Sequence, residues 1–155
     1  MTAPEPPPMD DVQSAIVAQA RSYLGTPFVH QGRLPGVALD CVGVPICVAR
    51  ALGLVDTAFD IRGYPRQPDG RTLLALCGQH MTRLDAAAMR PGDVAVIRFE
   101  RVPQHLGIVA PYVHGGLSLI HALGTTDGKG RVVEHRIDAD TLRRLVAVYR
   151  LPGVA

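Results

Sequence analysis

One cysteine and two histidines have the residue types from which a thiol nucleophile and its base can be built. Cys41 lies in the stretch Asp40-Cys41-Val42-Gly43, which opens a long apolar segment. His105 and His121 lie far downstream, in the strand-like runs QHLGIVAPY and GLSLIHALG. A thiol is a good nucleophile only as a thiolate, and both a helix N-terminus and a nearby imidazolium lower its pKa. The pattern therefore predicts covalent catalysis by a cysteine that is activated by histidine.

The residues around Cys41 place it at the start of a helix. Residues 41–52 are apolar on nearly every side, which is typical of a buried helix. Asp40 suits the N-cap and Gly53 the C-terminal cap. Pro45 is tolerated only within the first turn, so the helix has to begin close to Cys41. The backbone N–H of Cys41 is then a candidate oxyanion donor, because the first amides of a helix have no partner within it.

His105 is the candidate general base. Strand alternation places it on the same face as Gly107 and Val109. The small Gly107 would let the helix that begins at Cys41 approach closely. The alternatives are that His105 faces solvent at a strand edge and that His121 is only hydrogen-bonded within the sheet.

The rest of the sequence predicts helices first and strands afterwards. Besides the helix over 41–52, the apolar spacing predicts helices over 11–24 and 71–81. Prolines and glycines mark two loops, 25–39 and 54–70. Runs rich in valine, isoleucine and leucine predict five strands, over 93–99, 104–112, 116–122, 131–137 and 144–150. This order indicates an α+β fold whose cysteine-bearing helix packs on an antiparallel sheet of about five strands.

Composition indicates one globular domain. With 155 residues, 47% hydrophobic and 19% charged, the chain can build one core and is too apolar to be disordered. A net charge of only +2 argues against nucleic-acid partners, and the lack of an apolar run of ~18 residues argues against membrane insertion. Residues 10–155 are predicted to form the domain and the proline-rich residues 1–9 a flexible arm. The first residues do not resemble a secretory signal, so we expect synthesis in the cytoplasm.

The other cysteines and histidines are predicted to be structural. Three cysteines make no even disulfide framework, and Cys47 and Cys77 lie among apolar residues, so we expect buried free thiols. No C-x-x-C, H-x-H or H-x-x-x-H pair occurs, which argues against zinc, and no cofactor is predicted. His80, His114 and His135 are predicted to lie outside the site.

Four segments together resemble the NlpC-like cell-wall endopeptidases, and among them the small forms encoded by tailed phages. These segments are GTPFVHQGRLPGVALDCVG, RPGDVAVIRF, QHLGIVAPY and LIHA. The resemblance implies a papain-like fold, with Cys41 as nucleophile, His105 as base and His121 as the residue that orients the base. One position departs from the family, because Phe28 stands where relatives commonly have a tyrosine near the active centre. His30 or Gln31 is a candidate to replace the missing hydroxyl.

The resemblance also implies a function. We expect a thiol peptidase that cleaves peptidoglycan stem peptides at an amide of the D-Glu–diaminopimelate type, with His30 as a candidate substrate contact. The phage-type resemblance implies a component of a phage or gene-transfer-agent tail tip. Tail-tip or hub proteins would then be its partners, and it would open the cell wall when DNA is injected. Two alternatives stay open: a structural tail-tip protein with little activity, which Phe28 favours, and a cytosolic amidase or acyltransferase.

Overall fold

Helices precede most of the strands, as the sequence order predicts. The computed structural model describes residues 8–66, 69–99 and 102–155. Its helices are α1 (Asp11–Arg21), α2 (Gly43–Ala51), α3 (Thr72–His80) and the short α4 (Ala139–Arg143). The predicted helices 41–52 and 71–81 therefore correspond to α2 and α3.

The described strands form a small hairpin and a larger antiparallel sheet. The hairpin pairs β1 (Arg33–Leu34) with β2 (Ala38–Leu39). The sheet contains β3 (Thr82–Leu84), β4 (Val94–Phe99), β5 (Val102–Pro111), β6 (Leu117–Leu123), β7 (Arg131–Arg136) and β8 (Leu145–Arg150). Across this sheet the strand order is β3-β8-β4-β5-β6-β7. The predicted α+β fold is confirmed, with six strands in the sheet where about five were expected.

The two faces of the sheet bury different sets of side chains. Leu106 and Ile108 of β5 pack with Val44 of α2 in the main core. Alternate residues point to the other face, where Val109 belongs to a smaller cluster with Ala95, Ile97 and Leu119. The cysteine-bearing helix thus packs on the sheet, as predicted.

Gly107 lies on the sheet face away from α2. A side chain at this position would collide with Leu119, which belongs to the smaller cluster. The strand alternates as predicted, but α2 covers the other set of residues. The prediction that Gly107 allows this helix to approach closely is therefore wrong.

The shortest elements are those that the sequence does not predict. The hairpin of β1 and β2 lies within the predicted loop 25–39, β3 pairs with β8, and α4 comes between the last two predicted strands. Each is only two to five residues long. Such lengths are too short for a period of 2 or 3.6 residues to stand out.

The N-terminal helix is held by a capping box. The Asp10 carboxylate accepts the backbone N–H of Gln13 at 2.7 Å, and the Gln13 side chain accepts that of Asp10 at 2.9 Å. Residues 1–7 of the predicted arm lie outside the described residues, and Met9 is half-buried against the core. Within the described ranges, no helix has both the length and the apolar character needed to cross a membrane.

Candidate active site

Cys41 lies in a turn just before α2. Asp40 is buried there, and its two carboxylate oxygens accept the backbone N–H groups of Gly43 at 2.8 Å and Gln31 at 2.7 Å. The prediction that Asp40 is the N-cap is wrong, because the N-cap of α2 is Val42, two residues later. Asp40 nevertheless accepts the N–H of Gly43, the first residue of the helix. Gly43 is needed at this point, because a Cβ atom would meet the carbonyl oxygen of Gly32.

Arg33 joins the surrounding loops to this turn. Its guanidinium lies 2.9 Å from Asp40, 2.8 Å from Asp60 and 2.6 Å from the Tyr64 hydroxyl. That hydroxyl donates to Asp40 at 2.6 Å. The side chains of Arg33 and Asp40 are only 6% and 3% exposed, so two buried charges neutralise each other. We call Arg33, Asp40, Asp60 and Tyr64 the arginine clasp; it fixes the backbone next to Cys41.

The Cys41 thiol faces the sheet at an opening between two strands. The backbone N–H of Leu106 on β5 points at the sulfur. In the described chain, the residue pairs of β5 and β6 join 108–111 to 117–120, so Leu106 lies beyond the paired segment. The thiol therefore sits at this opening, beside the residue that follows His105.

The charge next to Cys41 has the opposite sign to the one predicted. Burial, followed by the Asp40 carboxylate, raises the pKa of the Cys41 thiol to about 12, and three nearby backbone N–H groups oppose this shift. The sequence predicts a lowered pKa from a helix N-terminus and an imidazolium. The structure differs because the thiol is desolvated by burial and the charged group next to it is a carboxylate, both of which disfavour the thiolate. Cys41 therefore rests as a thiol.

His105 and His121 lie side by side on the sheet face away from α2. Nε2 of His105 is in hydrogen-bond contact with Nδ1 of His121, and the ring centroids are 4.6 Å apart. Burial, and then the charge of His121, lowers the pKa of His105 to about 3. Burial likewise lowers the pKa of His121 to about 4. The structure thus brings the two predicted histidines together, and both are neutral at neutral pH.

His135 extends this pair, although the sequence predicts it outside the site. Nε2 of His121 lies 3.0 Å from Nδ1 of His135 on β7. In the strand register His121 is opposite Val133, so His135 reaches it diagonally. The sequence does show a histidine in each of two consecutive predicted strands, β6 and β7. The contact between the two histidines can be predicted from this only when the register of the strands is known.

His30 lies next to the arginine clasp. Its ring meets that of Tyr64 edge to face, with centroids 5.5 Å apart. It is half-buried on the loop before Cys41, and its contact with substrate stays a prediction. Gln31, the other candidate to replace the missing hydroxyl, donates its side-chain amide to the carbonyl of Arg62 at 2.8 Å.

Phe28 is half-buried and packs over Gly124, just after β6. Its backbone N–H donates to the carbonyl of Gly130 at 2.8 Å, which ties the loop before the cysteine to the start of β7. The ring thus fills space beside the histidine-bearing strand, and it offers no hydroxyl there.

The remaining cysteines and histidines contribute no further chemistry to the site. Cys47 and Cys77 are buried free thiols, in agreement with the prediction. The rings of His80 and His114 pack against Phe59 and Tyr112, respectively. Among the residues that the structure describes, no three histidine, cysteine or acidic side chains are grouped to hold a metal ion.

The fold can be compared with solved structures. The NlpC/p60 domain of the peptidoglycan hydrolase SagA is similar to this chain with a TM-score of 0.57 and 23% identity, over 90% of this chain and 98% of that one. This chain has the NlpC/p60 fold. An NlpC/P60 family protein from Bacillus cereus gives a TM-score of 0.63 at 14% identity, over 93% of this chain but only 41% of the other.

A third NlpC/p60 structure carries a different function. RipD from Mycobacterium tuberculosis, described as a non-catalytic NlpC/p60 domain protein adapted to peptidoglycan binding, gives a TM-score of 0.55 at 13% identity, over 94% of this chain and 100% of that one. No family model matches the present sequence, and no curated protein matches it. The NlpC/p60 fold of this chain is therefore assigned from structure, and its activity has to be argued from its own residues.

Proposed function

We propose that this chain is a cysteine peptidase that hydrolyses an amide bond in peptidoglycan stem peptides. The observation that carries the proposal is the position of the Cys41 thiol, which faces the N–H of Leu106 where β5 and β6 separate. His105 precedes Leu106 and is in contact with His121. The substrate class is supported by the similarity to SagA, a peptidoglycan hydrolase.

The proposed reaction begins from a neutral pair. Because Nε2 of His105 faces His121, proton exchange with Cys41 has to use Nδ1. The sulfur attacks the amide carbonyl as its proton passes to His105, and the same proton then goes to the leaving amine. The backbone N–H of Cys41 stabilises the oxyanion, and water then releases the acyl group from sulfur.

The proposal also specifies which bond is cleaved and where the protein acts. We propose an amide of the D-Glu–diaminopimelate type as the bond, and the tail tip of a phage or gene-transfer agent as the location. Both rest on the sequence resemblance to the small phage-encoded members of the family. Tail-tip or hub proteins are the partners that this location implies.

Digestion of purified muropeptides, followed by mass spectrometry, tests the proposal. The wild-type protein should release fragments cut at one amide, and EDTA should leave the rate unchanged. Cys41→Ala and His105→Ala should abolish the products, whereas His121→Asn should keep a residual rate because it only orients the base. If wild-type protein released no fragment from any muropeptide, the hydrolase assignment would be overturned.

Phe28 favours a second candidate, a structural protein of a tail tip that has little activity. The tyrosine hydroxyl common in the family is absent, and RipD is an example of this fold described as non-catalytic. Sedimentation with intact peptidoglycan, without release of fragments, would support this candidate. Hydrolysis gained by Phe28→Tyr in an otherwise inactive protein would identify the missing hydroxyl as the cause.

A cytosolic amidase or acyltransferase is the remaining alternative from the sequence. The same thiol and histidines could transfer an acyl group to an acceptor other than water. Consumption of small thioesters, together with intact muropeptides, would favour this class.

A further inference from the structure

The Asp40 carboxylate has two hydrogen-bond donors on each of its oxygens. Oδ1 accepts from the Arg33 guanidinium at 2.9 Å and from the backbone N–H of Gly43 at 2.8 Å. Oδ2 accepts from the Tyr64 hydroxyl at 2.6 Å and from the backbone N–H of Gln31 at 2.7 Å. A carboxylate has about four lone-pair positions, so these donors occupy all of them. The Asp40 side chain is only 3% exposed, which shields this arrangement from water.

The Tyr64 hydroxyl connects the second carboxylate oxygen to the same arginine. Tyr64 is buried, and its hydroxyl accepts from Nη2 of Arg33 at 2.6 Å while it donates to Asp40. Burial, followed by the hydrogen bond to Asp40, raises the pKa of Tyr64, so the hydroxyl keeps its proton. A hydroxyl that accepts from a cation is polarised and becomes a stronger donor. Arg33 therefore acts on Oδ1 directly and on Oδ2 through Tyr64.

The Asp40 carboxylate opposes ionisation of the residue that follows it, Cys41. A negative charge close to a buried thiol disfavours the thiolate. A carboxylate oxygen with a vacant lone pair could also accept the S–H, which would stabilise the thiol further. Donors that polarise and occupy both oxygens weaken the first effect and prevent the second.

We propose that Tyr64 is a positioning residue for Cys41, because its hydroxyl occupies Oδ2 of Asp40 and so keeps this carboxylate from holding the sulfur as an unreactive thiol. The role is indirect, since Tyr64 acts on the sulfur only through Asp40. For hydrolysis this inference rests on the proposed function. The effect on the thiol itself is independent of the reaction that Cys41 performs.

Two further elements bring ionisable groups towards Cys41. From α3, Cys77 lies near enough for the charge of Cys41 to add to the effect of burial, and together they raise the pKa of Cys77 to about 12. On β5, His105 directly precedes Leu106, whose N–H faces the sulfur, and burial lowers the pKa of His105 to about 3. Neither group changes its charge between about pH 7 and 9, so both contributions stay constant over the range in which alkylation is measured.

Alkylation of Cys41 by iodoacetamide, followed by peptide mass spectrometry, tests the inference without any substrate. Well below the pKa of a thiol, the rate is proportional to the thiolate fraction, so a rise of about half a pKa unit slows it about threefold. Tyr64→Phe should slow alkylation of Cys41 by about this factor, because Oδ2 loses a donor while Arg33 keeps Asp40 ionised. Asp40→Asn removes the negative charge, and alkylation should become faster than in the wild type.

The double variant distinguishes an effect through Asp40 from a general loss of packing. When Asp40→Asn is already present, adding Tyr64→Phe should change the alkylation rate by less than about twofold, because no carboxylate charge is left to be shielded. Tyr23→Phe is the matched control. Tyr23 is buried as well, and its hydroxyl accepts from Gln19 at 3.1 Å, outside the arginine clasp. This variant should keep the wild-type rate.

An unchanged or faster rate in Tyr64→Phe, in a variant that still unfolds cooperatively in urea, would overturn the inference. An equal loss of rate with and without Asp40→Asn would overturn it too. If Tyr64→Phe does not fold, Asp40→Asn decides, and alkylation no faster than in the wild type counts against the inference. Failure of the wild-type protein to cleave muropeptides would instead overturn the proposed function, and would leave these rates unaffected.

Discussion

Cys41 differs from the other two cysteines in its exposure. It is half-buried, whereas Cys47 and Cys77 are 6% and 3% exposed. We expect iodoacetamide to alkylate Cys41 first in the folded protein, and the other two only after unfolding, as read by peptide mass spectrometry. Cys47→Ala and Cys77→Ala should keep this selectivity and lose about 1–2 kcal/mol of unfolding free energy each. Equal labelling of all three native thiols would contradict the prediction.

The buried histidines predict a loss of stability in acid. Burial lowers the pKa of His105 to about 3 and that of His121 to about 4, whereas an unfolded histidine titrates near ~6.5. Below ~6.5 the unfolded chain therefore binds protons that the folded chain does not, and the unfolding free energy falls as the pH drops towards ~4. The slope is up to about 1.4 kcal/mol per pH unit for each histidine.

Urea unfolding across this pH range measures the slope. His121→Asn should reduce it, because one titrating group with a lowered pKa is removed. The exposed His114 provides the control, and His114→Asn should leave the slope unchanged. Equal slopes in the wild type and His121→Asn would show that burial of this histidine does not set the acid limit.

Local patterns and tertiary contacts contribute differently to the prediction of single residues. The position of Cys41 just before a helix can be predicted from Asp-Cys-x-Gly. In this motif the Asp40 carboxylate accepts the N–H of Gly43, and Gly43 lies close to the backbone of Gly32. His105 is recognisable from its strand-like run. His135 is not, because its contact depends on the register between two strands. The raised pKa of the Cys41 thiol is not predictable either, since it depends on burial and on the Asp40 carboxylate.

At the scale of the elements, the arginine clasp holds the β1–β2 hairpin against the turn before α2. Arg33 contacts Asp40 and Asp60 at the same time through different nitrogens. Arg33→Lys keeps the charge but offers a single donor centre, so one of the two carboxylates loses its contact with this buried side chain. We expect a loss of about 2–4 kcal/mol in unfolding free energy, measured in urea.

Arg62→Lys is the control for this change. Arg62 contacts Asp60 as well, but its side chain is 59% exposed, so we expect a change within about 0.5 kcal/mol. Equal effects of the two substitutions would mean that the clasp contributes no more than a surface ion pair. A slower alkylation of Cys41 in Arg33→Lys alone would link the clasp to the position of the thiol.

Two glycines on helices predict effects of opposite sign. A methyl group at Gly43 meets the carbonyl oxygen of Gly32, so Gly43→Ala should push the hairpin away from α2 and cost about 1–3 kcal/mol. Gly78 in α3 is exposed, and a methyl group there would have no neighbouring atom within 4 Å, so Gly78→Ala should stabilise by about 0.5–1 kcal/mol. Thermal unfolding distinguishes the two, and a neutral Gly43→Ala would contradict the close approach.

The longer elements follow from the sequence because each shows its period over several residues. The apolar run of α2 and the runs rich in valine, isoleucine and leucine of β4 to β8 are examples. The β1–β2 hairpin is different, since it is held by the clasp and by the contact of Gly32 with Gly43. No local sequence pattern predicts this hairpin, because the residues that stabilise it lie in other parts of the chain.

At the scale of the whole molecule, the NlpC/p60 fold leaves the activity open. SagA is a peptidoglycan hydrolase, and RipD is described as non-catalytic, yet the chain is similar to both. Whether this chain is a hydrolase therefore depends on the thiol, the three histidines and Phe28, and not on the fold that positions them.

The proline-rich, acidic residues at the N-terminus predict a docking segment. A segment of this composition cannot form a core, but a polyproline-type strand loses little entropy when it docks. If the protein belongs to a tail tip, we expect this segment to bind a neighbouring tail protein.

Deletion of residues 2–7 spares Met9, which packs on the core, and Asp10, which caps α1. Alkylation of Cys41 and muropeptide hydrolysis should then be unchanged, while incorporation into particles, measured by immunoblot, should fall. A glycine-serine segment of equal length should fail in the same way, because it lacks the stiffness of proline. Normal incorporation of both variants would remove the segment from the docking surface, and protein found at the cell wall without particles would overturn delivery by a tail while leaving the peptidase proposal intact.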